Sequence, residues 1–170
     1  MAEALQVPPA RRQERRVKAK YINPFLVASM NLFREYLGIK VRNLNPFVLE
    51  DPQALSEVSG IIGLAGETAG AVVLSFSRET AMNVVGRLSG KSYTVLSNEV
   101  LDGVGELVNI IAGNAKKDLE EFRIVISLPG VIVGESYKIK WPQGVPVISI
   151  PFESELGPFT VNVSLKDAAP

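Results

Sequence analysis

The sequence contains no cysteine and no histidine. It therefore cannot form disulfides, and it offers no thiolate nucleophile, imidazole base or usual zinc ligand. A Ser-His-Asp hydrolase and a histidine-ligated metalloenzyme are both excluded. The carboxylates show no cluster with the spacing of metal ligands, so we predict no metal site of the protein's own. Any chemistry must use carboxylates, amides, hydroxyls or amines.

Long apolar runs are also lacking. No run approaches the ~18 consecutive apolar residues that a membrane-spanning helix requires, and the N-terminus has no apolar core of a signal peptide. We therefore expect a cytoplasmic protein without a membrane span. The 170 residues, 46% of them hydrophobic, suffice for one domain with a sizeable core but not comfortably for two.

Charge is balanced overall, with 18 basic and 18 acidic residues, but it is unevenly distributed. Residues 1–20 hold six basic and two acidic residues, which leaves twelve basic against sixteen acidic residues elsewhere, a net charge of −4. An acidic body argues against nucleic-acid binding, which needs clustered Lys and Arg. Because residues 1–20 lack apolar periodicity, we predict a disordered basic tail before a single domain, residues 21–170. Contact of this tail with anionic membrane or nucleic acid is the alternative.

Hydrophobic periodicity and capping residues predict three helices. The first spans residues 24–37, the second is capped by Ser77 and runs to about residue 88, and the longest is capped by Ser97 and spans 98–120. Strands are predicted at 40–49, 56–65, 69–75, 123–127, 131–134, 137–141, 145–152 and 159–165. Consecutive strands joined by tight turns favour antiparallel pairing. The predicted fold class is therefore α+β, with a largely antiparallel β-sheet packed with helices.

The helix predicted at residues 98–120 has two different faces. Its apolar residues form a stripe about 100° wide that we expect to be buried: Val100, Val104, Leu107, Val108, Ile111 and Ala115. The opposite face carries Asp102, Glu106, Asn109 and Gly113. Glu106 and Asn109 are three residues apart, so their side chains are neighbours on the exposed surface. Gly113 lies between them in angle, one turn further along, where a missing side chain would let a partner approach the helix closely.

Two further glycines, Gly103 and Gly105, lie in the same helix, and we expect them to be exposed or nearly so. Each glycine inside a helix costs up to ~1 kcal/mol relative to alanine, so something other than helix propensity has to account for them. Close approach of another macromolecule and tight packing within the fold explain them equally well.

Three segments resemble one family. Residues 105–116 (GELVNIIAGNAK) are similar to the Glu-x-x-Asn helix of the chemotaxis phosphatase family typified by CheX, a relative of CheC and FliY. Residues 22–25 (INPF) and 126–134 (ISLPGVIVG) also resemble CheX, in the family's order. The resemblance covers most of the chain, from about residue 21 to residue 163.

The resemblance implies a CheC-like fold and a phosphatase that hydrolyses the aspartyl phosphate of a CheY-like response regulator in chemotaxis signalling. It implies that Asn109 orients the attacking water, that Glu106 pairs with the active-site lysine of the receiver domain, and that the protein is a homodimer. We expect Asp102 and Gly113, on the same face, to dock this partner. The receiver would supply a divalent metal such as Mg²⁺, so no cofactor of the protein's own is expected. Phosphoryl transfer depends mainly on positioning and charge stabilisation, which suits such an arrangement.

Two other interpretations use the same helix face. A non-catalytic receiver-binding or flagellar-switch-associated module would also need it, although the retention of both Glu106 and Asn109 favours the enzyme. A purely structural oligomerisation domain would leave the exposed face unexplained.

Two weaker patterns remain. When the first helix is aligned with the helix at 98–120, Ala28 and Asn31 correspond to Glu106 and Asn109. The glutamate is missing there, so we expect one active centre per chain. Residues 86–92 (GRLSGKS) resemble a phosphate-binding loop, but the first glycine is one residue too close to the Gly-Lys pair. The segment also falls at a helix end rather than between a strand and a helix, so we interpret it as a helix terminus.

Overall fold

The computed structural model describes residues 9–51, 55–135 and 137–166, with side chains described from residue 19 onwards. Within these ranges the chain forms three helices, α1 (Pro9–Leu37), α2 (Arg78–Ser89) and α3 (Asn98–Lys117). The strands are β1 (Arg42–Asn43), β2 (Phe47–Val48), β3 (Val58–Gly66), β4 (Ala69–Phe76), β5 (Ile124–Ile126), β6 (Gly130–Val133), β7 (Ile148–Glu153) and β8 (Phe159–Lys166). None of the described helices is long and apolar enough to cross a membrane.

All of these strands join one sheet in the order β1-β7-β8-β4-β3-β5. In addition, β2 pairs with β7 and β6 pairs with β3, and neighbouring strands run antiparallel. The α+β class predicted from the sequence, an antiparallel sheet packed with helices, is confirmed.

Strand β3 pairs with two short strands, β5 and β6, along one of its edges. β6 pairs with its first half, from Val58 to Ile61, and β5 pairs with its end, from Leu64 to Gly66. β5 and β6 therefore follow one another along the same edge of β3. The three-residue turn 127–129 connects them at the middle of that edge.

Aromatic side chains fill the space between the helices and the sheet. The Phe159 ring of β8 stacks on the Phe33 ring of α1, with centroids 4.5 Å apart, and on the Phe152 ring of β7 at 5.0 Å. Alternate residues point to the other face of the sheet, where Ser59 Oγ donates a hydrogen bond to Ser75 Oγ at 3.0 Å. The apolar core thus lies on the side that the helices cover.

The predicted caps of α2 and α3 are confirmed. Ser77 Oγ accepts a hydrogen bond from the Thr80 backbone N–H, and Ser97 Oγ accepts one from that of Val100. Gly90 ends α2 in the left-handed conformation, with a φ of 71°. Both helices therefore begin where a hydroxyl pairs with an otherwise unpaired N–H group.

The first helix differs from its prediction. α1 begins at Pro9, whereas the sequence predicted a start at residue 24, and Pro24 lies inside the helix. The prediction treated the lack of an apolar stripe as a lack of helix, but Ala, Arg, Gln and Lys are good helix formers without one. Residues 1–8 lie outside the described residues. α1 covers part of the segment 1–20, and the division into a disordered tail and a domain, residues 21–170, stays a prediction.

Most strands lie within three residues of their predicted ends, but two predictions are wrong. The strand predicted at 40–49 is divided into β1 and β2, because Pro46 between them has no N–H group to donate to the ladder. No strand forms at 137–141. There the Tyr137 hydroxyl donates a hydrogen bond to the Ser56 carbonyl oxygen at 2.5 Å, so the segment is held by a side chain instead.

Candidate active site

Two glycines set how closely α3 packs on its neighbours. A Cβ atom at Gly60 of β3 would lie 3.0 Å from Val108 Cγ1 and 3.1 Å from Val104 Cγ1. A Cβ atom at Gly103 of α3 would lie 2.7 Å from Val85 Cγ1 of α2. Side chains at these positions would push α3 away from the sheet and from α2, because the interior is already closely packed. Gly60 and Gly103 thus allow α3 to pack closely on the sheet and on α2. This packing fixes the orientation of the outer face of α3.

The outer face of α3 carries the predicted site residues. Asp102, Glu106 and Asn109 are exposed, and the apolar stripe on the opposite side is buried, so the predicted division of the helix is confirmed. Within the described ranges, the side chains of Glu106 and Asn109 make no hydrogen bond or ion pair. A carboxylate and an amide on adjacent turns are therefore available to a partner.

A groove of about 520 Å³ lies beside these side chains. One wall belongs to α3 and the other to the β5–β6 edge, and the lining residues are Leu101, Asp102, Gly105, Glu106, Asn109, Pro129 and Val131. The groove brings Asp102, Glu106 and Asn109 together at one surface, as the sequence predicted.

Gly105 faces the sheet edge that lies against α3. A Cβ atom there would lie 3.4 Å from Val131 Cγ2 and 3.7 Å from Pro129 Cβ. The expectation that Gly103 and Gly105 are exposed is wrong, since both are buried. Internal packing explains Gly103, whereas a Cβ atom at Gly105 would make only ordinary van der Waals contacts. A helical projection places residues around an axis but does not show which neighbouring elements cover them.

Gly113 differs from these two glycines. A Cβ atom there would meet no heavy atom within 4 Å, so the missing side chain leaves open space. Gly113 does not line the groove of Glu106 and Asn109. It lines a second groove of about 660 Å³ at the end of α3, whose other lining residues include Lys116, Lys117, Phe122 and Arg123. A role of Gly113 in docking stays a prediction.

The sequence did not identify Leu101, Pro129 and Val131 as parts of the site. Residues 126–134 contributed to the family resemblance, but their pattern gives no position relative to α3. That position arises because β6 pairs with the first half of β3, underneath α3. Contacts between strands distant in sequence are not visible in local periodicity.

The corresponding face of α1 is built differently. Ala28 is 4% exposed, and Asn31 is half-buried with its Oδ1 accepting a hydrogen bond from Arg34 at 2.8 Å. Both residues line a smaller groove of about 240 Å³ between α1 and α3. This face therefore has no carboxylate at position 28, and its amide oxygen already has a partner within the chain.

Lys91, from the segment that resembles a phosphate-binding loop, supports the start of α3. Its Nζ lies 3.0 and 3.3 Å from the two Glu99 carboxylate oxygens, and the Tyr93 hydroxyl donates to the same carboxylate at 2.7 Å. The hydrogen bonds from Tyr93 and Lys91 lower the pKa of Glu99, and the bond to Glu99 raises the pKa of Lys91. The lysine thus takes part in an ion pair that joins the loop after α2 to α3.

Comparison with known proteins agrees with this architecture. The model of a family described as "Chemotaxis phosphatase CheX" matches residues 58–153. A protein named CheY-P phosphatase CheX, from Thermotoga maritima, is 30% identical over 125 residues, which cover 72% of this chain and 81% of that protein.

Solved structures show the same likeness. The chemotaxis protein CheX from Desulfovibrio desulfuricans has a TM-score of 0.78 and 30% identity, covering 86% of this chain and 99% of that chain. A CheX–CheY–BeF3–Mg²⁺ complex from Borrelia burgdorferi has a TM-score of 0.73 and 29% identity, covering 86% and 98%. The CheC-like fold implied by the sequence resemblance is confirmed. With its family match and a 30% identical relative, the chain belongs to the CheX family of chemotaxis phosphatases.

Proposed function

We propose that this chain is a hydrolase that removes the phosphoryl group from the aspartyl phosphate of a CheY-type receiver domain. Family membership supports the class of activity, because the Thermotoga maritima relative is named a CheY-P phosphatase. The observation that carries the proposal is the groove beside α3. There Glu106 and Asn109 lie one turn apart, exposed, and without a partner in the described part of the chain.

Asn109 orients the attacking water in this proposal. Its amide has both donors and an acceptor, so it can hold a water molecule in one orientation. In-line attack of that water on phosphorus breaks the bond to the aspartate oxygen, and inorganic phosphate and a free carboxylate leave. Positioning is the main contribution that a protein makes to such a transfer, and a firmly seated helix supplies it.

Glu106 pairs with the active-site lysine of the receiver. The carboxylate is exposed in the free protein, so its charge stays solvated until the partner arrives. A hydrogen-bonded ion pair then fixes the register of the two proteins. Asp102, one turn earlier, adds negative charge to the same groove, and Gly113 leaves room further along α3.

The divalent metal belongs to the receiver in this proposal. The similar Borrelia burgdorferi complex contains CheY, BeF3 and Mg²⁺. BeF3 bound to a carboxylate oxygen is tetrahedral and so has the shape of a phosphoryl group. Among the residues that the structure describes, no group of three or more acidic residues is placed to hold a metal ion. We expect Mg²⁺ to arrive with the phosphorylated receiver and to neutralise charge on the phosphoryl oxygens.

Decay of the aspartyl phosphate on a CheY-type receiver tests the proposal. Asn109→Ala should lower turnover by about 100-fold or more, a typical cost of removing one positioned polar group from a transition state. Its thermal stability should not change, because the side chain is exposed. Asn114→Ala is the matched control. It makes the same truncation on the same helix, but Asn114 lines the groove shared with α1, so turnover should stay within about twofold.

Three results would contradict the assignment in different ways. Wild-type turnover in Asn109→Ala would remove Asn109 from the chemistry. Unfolding of this variant would show that the amide is structural. Binding of the phosphorylated receiver by the wild-type protein without any turnover would identify a non-catalytic receiver-binding module that uses the same face.

A further inference from the structure

Leu128 is the most exposed of the large hydrophobic side chains in the described residues, at 90%, whereas Val95 and Val125 follow at 64%. Single exposed leucines are common on protein surfaces and need no explanation by themselves. Two further observations distinguish Leu128, namely how its backbone is held and what lies next to it.

The backbone around Leu128 is held by hydrogen bonds to β3. The Ser127 N–H donates to the Gly63 carbonyl oxygen at 2.9 Å, and the Gly63 N–H donates back to Ser127 Oγ at 2.9 Å. Ser127 Oγ also donates to the Leu128 carbonyl oxygen at 2.8 Å. Pro129 follows, and a proline restricts both its own φ and the conformation of the preceding residue. Leu128 is thus presented in a fixed direction, and little backbone freedom remains to be lost when a partner binds.

Leu128 also stands beside the candidate active site. Its neighbour Pro129 lines the groove of Glu106 and Asn109, and consecutive Cα atoms are about 3.8 Å apart. A macromolecule that places a phosphoryl group at Asn109 therefore passes close to Leu128. A leucine next to a residue that lines this groove is within the footprint of even a small protein interface.

We propose that Leu128 is an apolar docking residue that packs on the receiver surface next to the phosphorylated aspartate and sets the affinity for the receiver. The inference rests on the proposed function. A partner that fits Leu128 and the groove presents a cationic group toward Asp102 and Glu106, with an apolar patch beside that cation. Burial of a leucine side chain against a partner removes its apolar surface from water, which favours binding. Leu128 acts on binding and not on the chemical step.

Steady-state dephosphorylation kinetics separate these two roles. The probe is the CheY-type receiver that the wild-type protein dephosphorylates fastest, phosphorylated on its aspartate by a small-molecule phosphodonor. Leu128→Ser should raise KM by about tenfold or more and leave kcat within about twofold, and tenfold corresponds to about 1.4 kcal/mol of binding energy. The melting temperature should not change, because the side chain is exposed.

Val48→Ser is the matched control. Val48 is another exposed aliphatic residue, at 53%, but it lies in β2 at the opposite edge of the sheet. Its KM should match the wild type. An unchanged KM in Leu128→Ser, with normal wild-type turnover, would overturn the role of Leu128 and leave the proposed function intact. Absence of turnover in the wild-type protein would overturn both.

Sedimentation velocity tests whether Leu128 packs on the receiver or on a second copy of this chain. The wild type and Leu128→Ser should have the same mass in solution, whether or not the homodimer expected from the family resemblance forms. Dissociation of an oligomer by Leu128→Ser would show that Leu128 packs on a second copy, and the proposal would be wrong.

Discussion

α1 and α3 lie beside each other, and each carries an asparagine at the same place in a four-residue frame, yet the two helices present these side chains differently. On α3, Glu106 and Asn109 are exposed beside a groove of about 520 Å³ and have no partner in the described residues. On α1, Ala28 is buried and Asn31 accepts a hydrogen bond from Arg34. Among the described residues, the fold therefore leaves the Asn109 amide unpaired beside a charged neighbour, whereas the Asn31 amide is already paired.

Reversing the charge of a glutamate should show the largest difference in kcat/KM between the α3 face and the α1 face. Glu106→Lys should lower kcat/KM for the phosphorylated receiver by about 1000-fold, or about 4 kcal/mol, because it opposes the receiver lysine with a like charge. Glu106→Ala should cost about tenfold. Glu35→Lys is the control on the α1 face, where Glu35 is exposed and lines the smaller groove. Equal kinetics for Glu106→Lys and the wild type would remove Glu106 from the interface.

Restoring the missing carboxylate on α1 should not create a second centre. Ala28 is 4% exposed, so Ala28→Glu buries an unpaired charge and overfills a packed site, at a cost of about 3 kcal/mol in the free energy of unfolding. Val27→Glu, at a neighbouring residue that is 46% exposed, should change it by less than about 0.5 kcal/mol. Urea unfolding measures both. If Ala28→Glu restored turnover to an Asn109→Ala protein, α1 would carry a latent site.

Alanine substitutions at Gly103 and Gly113 of α3 should change the stability of the protein in opposite directions. Gly103→Ala should destabilise the protein by about 2 kcal/mol, because the new Cβ would lie 2.7 Å from Val85 Cγ1. Gly113→Ala should stabilise it by up to ~1 kcal/mol, because the new Cβ meets open space and alanine is the better helix former. The melting temperatures of the two variants, compared with that of the wild type, test both expectations. A lower melting temperature for Gly113→Ala would point to packing that the free chain requires.

A larger side chain at Gly113 tests close approach of the receiver. Gly113→Leu should retain the fold and lower turnover by about tenfold if the receiver lies against this part of α3. Normal turnover in a folded Gly113→Leu protein would confine the docking face to the groove of Asp102, Glu106 and Asn109.

Deletion of residues 1–20 should have the smallest effect. The segment contributes the ion pair between Lys20 and Glu121, whose side chains are 60% and 57% exposed, and exposed pairs add little stability. Turnover should stay within about twofold of the wild type. Lys20→Ala alone serves as the control for the lost pair. Aggregation or loss of activity on deletion, with a normal Lys20→Ala protein, would show that the start of α1 is part of the domain.

Much of this architecture follows from local signals in the sequence. Ser77, Gly90 and Ser97 mark helix ends because a hydroxyl or a left-handed glycine pairs backbone groups within a few residues. The amphipathic pattern of α3 was enough to predict that Glu106 and Asn109 share an exposed face. The start of α1 was missed because helix propensity does not require an apolar stripe, and the strand at 40–49 was overestimated because Pro46 interrupts it.

The sequence by itself determined which side-chain chemistry is available and which face of α3 is exposed, because residue types and a 3.6-residue period are local properties. Only the tertiary structure decided that Gly103 serves packing, that Gly105 is buried, that Pro129 and Val131 complete the groove, and that Leu128 beside Pro129 is exposed. These contacts join residues from separate elements. The groove forms because β6 pairs with β3 beneath α3, and such long-range pairing leaves no trace in any short stretch of the chain.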